Sequence, residues 1–134
     1  MWALVFTLAG VAHAEAPAAK KPAFVLKGDP VKGEVKFKQF CAACHGEKGD
    51  GQGAASAALN PKPATFIDAK RASEISDEYV LSMIRDGGQA NGRSPLMVAW
   101  KAAMSETELI DVATFVRSLA PKPAGKATAK PKKG

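Results

Sequence analysis

Three side chains that can bind a cofactor or a metal lie within one short stretch of the chain: Cys41, Cys44 and His45. The spacing C-x-x-C-H is typical of the covalent attachment of c-type haem. On a helix these positions are i, i+3 and i+4, so both thiols and the imidazole project from one face. The thiols can then bond the two vinyl groups on one haem edge while His45 reaches the iron, and Ala42 and Ala43 leave room for the macrocycle.

Other uses of the two cysteines fit less well. A disulfide between Cys41 and Cys44 would close a very small loop and would add little stability. A thioredoxin-like redox pair needs a βαβ setting, but the chain has few β-branched or alternating runs. A structural zinc site needs four ligands, and the pattern supplies only this pair and His45, because His13 lies in a segment expected to be removed. The pattern favours haem attachment.

Helix signals surround this motif, and no strand pattern is convincing. Asp29 followed by Pro30 is a typical helix start, Gly87 with Gly88 is a typical helix end, and Ser105-Glu106-Thr107-Glu108 is a capping box. The first and last helices are expected to cross at Gly33, with Phe37 near Phe115, above a pocket for the haem. Without haem we expect the small domain to be largely unfolded. The three helices are expected at about 30–44, 77–88 and 106–119.

The order of features along residues 28–120 resembles the class I cytochrome c family. The resemblance implies an all-α, small cytochrome c-like fold of three to four helices around one covalently bound haem c and its iron. The residues that carry it are Gly33, Phe37 and Cys41 four residues apart, the C-x-x-C-H motif, the glycine-rich segment 49–53, Pro61-Lys62-Pro63 with Phe66, and the last helix with Phe115.

The resemblance also implies a methionine as the axial ligand opposite His45. Met97 lies in a loop between two helices that is similar to the family's methionine segment, so Met97 is the expected ligand. Met83 sits mid-helix, where periodicity assigns it to the core. Met104 remains the second candidate, although its position before the capping box fits a hydrophobic staple with Leu109.

Two further expectations concern the surroundings of the motif. His45 should donate its other ring N–H to a backbone carbonyl near Pro61–Pro63, which would fix the ring orientation. The glycine-rich segment 49–53 lacks a phosphate-loop pattern. It is expected to be a tight turn that lets the chain pass close to the haem edge.

The two ends of the chain differ from its middle. Residues 2–12 are apolar and uncharged and precede Ala12-His13-Ala14, which predicts a signal peptide at residues 1–14 and export to the periplasm. No Lys or Arg precedes this run, which leaves open a start further upstream. Residues 15–27 and 121–134 are rich in Ala, Pro and Lys and are expected to be a flexible segment and a disordered tail around a cytochrome c domain at 28–120. No transmembrane span is expected in the mature chain.

The net charge of +6 is carried by the lysines of the two end segments. Within residues 28–120 the basic and acidic side chains nearly balance. A nucleic-acid-binding domain would carry a basic face on its folded part. We therefore expect no nucleic-acid partner.

Ligation by His45 and Met97 would leave no open iron position, which indicates an electron carrier and not an enzyme. The expected partners are membrane or periplasmic oxidoreductases of a respiratory chain that bind through brief encounters of small area, and we expect a monomer. Three alternatives stay open: a fixed haem c subunit of a larger oxidoreductase, a haem enzyme or gas sensor with an empty sixth position, and a non-haem metal or interaction module.

Overall fold

The computed structural model describes residues 23–121, and these form α-helices without any β-strand. The all-α fold class is therefore confirmed. The expected signal peptide at 1–14, residues 15–22 of the expected flexible segment and residues 122–134 of the tail lie outside the described residues. Within residues 23–121 the helices are α1 Pro30–Phe40, α2 Ala42–His45, α3 Ala69–Glu74, α4 Asp77–Ala90 and α5 Glu106–Leu119, with one 3₁₀ turn at Ser56–Ala58.

Helix α1 begins where the sequence predicts. The carboxylate of Asp29 accepts from the amides of Val31 and Lys32, and Pro30 occupies the first helical position. The single helix expected to continue to about residue 44 is divided at Cys41, whose φ of −113° lies outside the helical range. The separate α2 follows at once, so the C-x-x-C-H motif forms its own helical turn.

Helices α1 and α5 cross at Gly33, as expected. A Cβ at this position would overlap the carbonyl oxygen of Asp111, so only glycine allows the two backbones to approach this closely. Next to the crossing, the ring of Phe37 is fully buried and its centroid lies 5.2 Å from that of Phe115. The Asp111 carboxylate accepts from the amide of Asp29 at 2.7 Å. The crossing therefore joins the start of α1 to the middle of α5.

Helix α4 begins after Ser76, whose hydroxyl accepts from the amide of Tyr79. Its helical path stops at Gly87, where φ is +80°. This matches the predicted end, and residues 88–90 form a further turn beyond the break. At the other end of α4, the Asp77 carboxylate accepts from the amide of Leu26 and pairs with Arg117 at 2.7 Å.

Helix α5 carries the predicted capping box, in which Ser105 and Glu108 bond each other's backbone amides. Its apolar face packs on α1 and α4. No helix among residues 23–121 has the length and apolar character needed to cross a bilayer. The buried apolar side chains of the described residues are Phe37, Cys41, Val80, Leu81, Ile84, Met104, Leu109, Val112, Ala113, Phe115 and Val116.

Candidate cofactor site

A cleft made of two adjoining compartments lies beside this core. The narrow compartment measures about 130 Å³ and the wide one about 430 Å³. Together they reach the size range of sites that bind small molecules and cofactors. Of the two compartments, Cys41 and Cys44 line only the narrow one, whereas Arg71 and Arg93 line only the wide one. Residues common to both compartments are His45, Pro61, Lys62, Pro63, Ser94 and Met97.

The motif residues meet on one wall of the narrow compartment. The amides of Cys44 and His45 both donate to the carbonyl oxygen of Cys41, at 3.2 and 2.9 Å, which forms the single turn predicted from the spacing. Both cysteines are free thiols. Burial raises the pKa of the Cys41 thiol to about 12, and the nearby Cys44 adds to this shift. The two thiols and the imidazole therefore face one space and could act on one ligand.

The ring of His45 is fixed on two sides. Its Nδ1 lies 3.0 Å from the carbonyl oxygen of Ala64, and its face stacks on Phe66 with ring centroids 4.7 Å apart. Burial lowers the pKa of His45, and the bond to Ala64 opposes part of that shift. The neutral imidazole therefore donates from Nδ1 and keeps the lone pair of Nε2 free for a metal.

The carbonyl that orients His45 lies one residue beyond the stretch expected from the sequence. The chain passes Pro61 and Pro63 along the cleft before Ala64 reaches the imidazole. The amide of Phe66 then donates to the carbonyl oxygen of Gly49 at 2.6 Å. This bond fixes the segment where both Ala64 and Phe66 can contact the ring.

The glycine-rich segment closes the end of α2. The amides of Gly51, Gly53 and Ala55 donate to the carbonyl oxygens of His45, Cys44 and Ala43, at 2.7, 3.2 and 2.8 Å. These are the carbonyl groups that a helix end leaves without partners. Residues 49–53 line neither compartment, and their backbone bonds go to the motif helix and, through the Gly49 carbonyl, to Phe66. The segment thereby holds the His45 backbone in place. That this segment passes close to the haem edge stays a prediction.

The three candidate methionines occupy different surroundings. Met97 lines both compartments of the cleft, together with His45. Met104 is only 5% exposed, belongs to the core and lines neither compartment.

The expectation that Met83 belongs to the core is wrong, because Met83 is half-buried and lines the wide compartment. The buried apolar residues of α4 are Val80, Leu81 and Ile84. Helical periodicity identifies apolar positions. The same periodicity is found on a helix face that packs on protein and on a helix face that lines a cavity, so it does not distinguish the two.

Two arginine side chains, Arg71 and Arg93, line the wide compartment and not the narrow one that holds the thiols. The Nε of Arg93 donates to the hydroxyl of Tyr79 at 3.1 Å, whereas Lys62, which lines both compartments, donates to the carbonyl oxygens of Ser56 and Ala57. Guanidinium groups bind carboxylates through paired hydrogen bonds. The wide end of the cleft could therefore hold the acidic edge of a cofactor whose opposite edge meets Cys41 and Cys44. No local sequence signal identifies Arg71 or Arg93, because only the fold brings them to the cleft.

These features fit a protein that holds haem covalently. The narrow end offers two free thiols and an oriented imidazole, the walls between are largely apolar, and the wide end is cationic. Among residues 23–121, no group of three or more His, Cys, Asp or Glu side chains is arranged to hold a metal ion. The zinc alternative thus has no ligand set in the part of the chain that the structure describes.

The chain belongs to the cytochrome c family, because the family description "Cytochrome c" matches residues 30–120. No curated protein matches the chain. Family membership implies covalently bound haem c with its iron, and it makes the chain an electron-transfer haem protein. The resemblance inferred from the sequence is thereby confirmed.

Proposed function

We propose that the protein is an exported, periplasmic electron carrier whose haem is bonded to Cys41 and Cys44 and ligated by His45 and Met97. The observation that carries this proposal is that Met97 shares both compartments of the cleft with His45, while the thiols line the narrow one. Bound haem supplies one-electron chemistry at its iron. The side chains of the protein would hold the haem, ligate its iron and form the surface on which a partner docks.

The two axial side chains would close the iron to outside ligands. With an imidazole on one face and a thioether on the other, no position remains for oxygen or a substrate, which favours a carrier over an enzyme. The bond from His45 to Ala64 and the stack on Phe66 keep the imidazole in one orientation. A fixed ligand set needs little rearrangement on electron exchange. A methionine ligand would also raise the reduction potential relative to a second histidine.

Electrons are proposed to pass at the narrow end of the cleft. Leu96 and Val98, which line this compartment, are about half exposed, and Pro61 is exposed beside them. The partners would be membrane or periplasmic oxidoreductases that contact this rim. Short-lived redox encounters use small interfaces, so a few apolar side chains around the thiol edge are enough for docking.

The axial ligand is tested by replacing Met97 with Ala in the holoprotein. We expect Met97→Ala to lose the weak far-red absorption band of methionine-ligated ferric haem, to bind carbon monoxide when reduced, and to have a lower potential. Visible spectroscopy and redox titration measure all three effects.

Two matched variants separate ligation from cavity shape and core packing. Met83→Ala removes a thioether from the same cleft, and Met104→Ala removes one from the core. Both should keep the far-red band, and Met104→Ala should lower the free energy of unfolding by about 2–5 kcal/mol. An unchanged spectrum and potential in Met97→Ala would rule out Met97 as the ligand.

A further inference from the structure

The loop that carries Met97, here called the methionine loop (residues 94–101), is attached to the end of α4 through backbone hydrogen bonds. Carbonyl groups of α4 just before Gly87 accept from backbone amides at the C-terminal end of the loop. In the turn after Gly87, a backbone amide donates to a carbonyl group in the middle of the loop. These bonds are Gly88 N–H to Met97 O at 2.7 Å, Trp100 N–H to Ile84 O at 3.1 Å and Lys101 N–H to Arg85 O at 3.2 Å.

The contact between the turn and the methionine loop leaves no space for a side chain. A Cβ on Gly87 would lie 2.9 Å from the carbonyl oxygen of Met97 and 2.8 Å from the amide nitrogen of Ala99. The φ of Gly87 is +80°, which other residues rarely adopt. Because backbone lies directly on backbone, a displacement of Gly87 must displace the backbone from Met97 to Ala99.

One side chain holds this turn to the body of α4. The Nδ2 of Asn91 donates to the carbonyl oxygens of Gly87 and Ser82, at 2.8 and 3.2 Å. Its Oδ1 accepts from the hydroxyl of Ser82 at 2.9 Å. Both donor hydrogens and the acceptor of the amide are therefore used. Nothing in the sequence patterns singles out Asn91.

We infer that Asn91 is a positioning residue for Met97, an inference that rests on the proposed ligation. Asn91 does not line either compartment, so its effect passes through Gly87 and the backbone of the methionine loop. Loss of its amide leaves the Gly87 carbonyl without this partner in a part-buried site, which loosens the turn. The methionine loop then opens more often, and an outside ligand can take the place of Met97.

The test measures imidazole binding to the ferric holoprotein, because imidazole competes with the methionine for the iron. Asn91→Ala should raise the affinity for imidazole about tenfold, which corresponds to about 1.4 kcal/mol. Ser82→Ala removes the bond to Oδ1 alone and should raise it less, and this variant carries the test if Asn91→Ala does not fold. Gln89→Ala, an exposed position in the same turn, is the matched control and should bind imidazole like the parent.

A double variant separates positioning from a general loss of packing. In the Met97→Ala background, Asn91→Ala should leave imidazole affinity unchanged, since no methionine remains to be displaced. Equal affinities in Asn91→Ala, Ser82→Ala and the parent would overturn the inference, as would an Asn91→Ala effect that persists without Met97. If the parent itself lacks the far-red band and binds imidazole as tightly as Met97→Ala, the proposed ligation fails instead.

Discussion

The imidazole of His45 illustrates how neighbouring residues control a single ligand. The carbonyl of Ala64 selects which nitrogen carries the proton, and the ring of Phe66 selects the plane of the imidazole. Phe66 in turn meets the edge of Phe37, whose ring contacts Phe115. Three aromatic contacts thus connect the crossing of α1 and α5 to the imidazole.

Replacing Phe66 with Leu tests this arrangement. The change removes the stack on His45 and the edge contact with Phe37, so the free energy of unfolding should fall by about 1–2 kcal/mol. Guanidinium unfolding of the holoprotein followed by circular dichroism measures the change. Phe24→Leu, at a ring that is 45% exposed, is the control and should stay within about 0.5 kcal/mol of the parent. Equal stability of the two variants would argue against a supporting role for Phe66.

At the residue scale, the features that can be predicted from the sequence are those that depend only on neighbouring residues. Cys41, Cys44 and His45 are predictable together, because one helical turn is enough to bring them to one face. The partners of these residues are not predictable in the same way. Ala64 and Arg93 reach the cleft through loops whose path depends on tertiary contacts. Every residue has a backbone carbonyl, so the sequence does not mark the one at Ala64 that bonds His45.

Among the helices, α5 shows how a capping box can connect two elements. The Glu108 carboxylate lies 2.7 Å from the Nζ of Lys36 on α1 and also accepts from the backbone and hydroxyl of Ser105. The bond from Lys36 is the largest cause, and the bonds from Ser105 add to it, lowering the pKa of Glu108 from 4.5 to about 2. The same carboxylate thus caps α5 and pairs with the neighbouring helix.

A pH dependence of stability follows from this lowered pKa. A carboxylate with a lower pKa in the folded protein stabilises it above about pH 4.5, and this contribution is lost as the pH falls to about 2. Glu108→Gln should therefore be less stable than the parent at pH 7, and the difference should shrink steadily below pH 4.5. Urea unfolding at several pH values measures it. A difference that stays constant down to pH 2 would contradict the assignment.

Helix boundaries were predictable wherever a capping side chain precedes an apolar stripe, as at Ser76 and Ser105. Helix α3 was not among the three helices placed from the sequence. Asp68 does cap it, accepting from the amides of Lys70 and Arg71, but none of its residues is buried. A short helix without an apolar face leaves no periodic signal. The division at Cys41 escaped prediction because residue type alone gives no sign of its φ.

The described part of the molecule has a small core that borders the cleft. Helices α1, α4 and α5 supply most of its buried side chains, and two partly buried residues packed against it, Phe40 and Trp100, also line the narrow compartment. Covalently bound haem would extend this core across the cleft. Much of the apolar burial that stabilises the fold therefore depends on the cofactor.

Removing both thiols tests that dependence. The double variant Cys41→Ala, Cys44→Ala, made beside the parent in a host that attaches haem, should lose the mass of the cofactor and most of its helical signal. Mass spectrometry and far-ultraviolet circular dichroism measure the two effects. Val35→Ala, at an exposed position of α1, should keep both. A double variant without cofactor that keeps the helical signal of the parent would show that the polypeptide folds alone.

The motif helix and the methionine loop come from opposite halves of the chain, with α3 and α4 between them. Synthesis proceeds from the amino end. A growing chain therefore presents its thiols well before the segment that carries Met97 exists. Covalent attachment of haem to Cys41 and Cys44 can therefore precede folding of the methionine loop. A disruptive substitution in the methionine loop would then yield a protein that holds haem but leaves its iron open to outside ligands. Loss of Cys41 and Cys44 would instead yield a protein without haem.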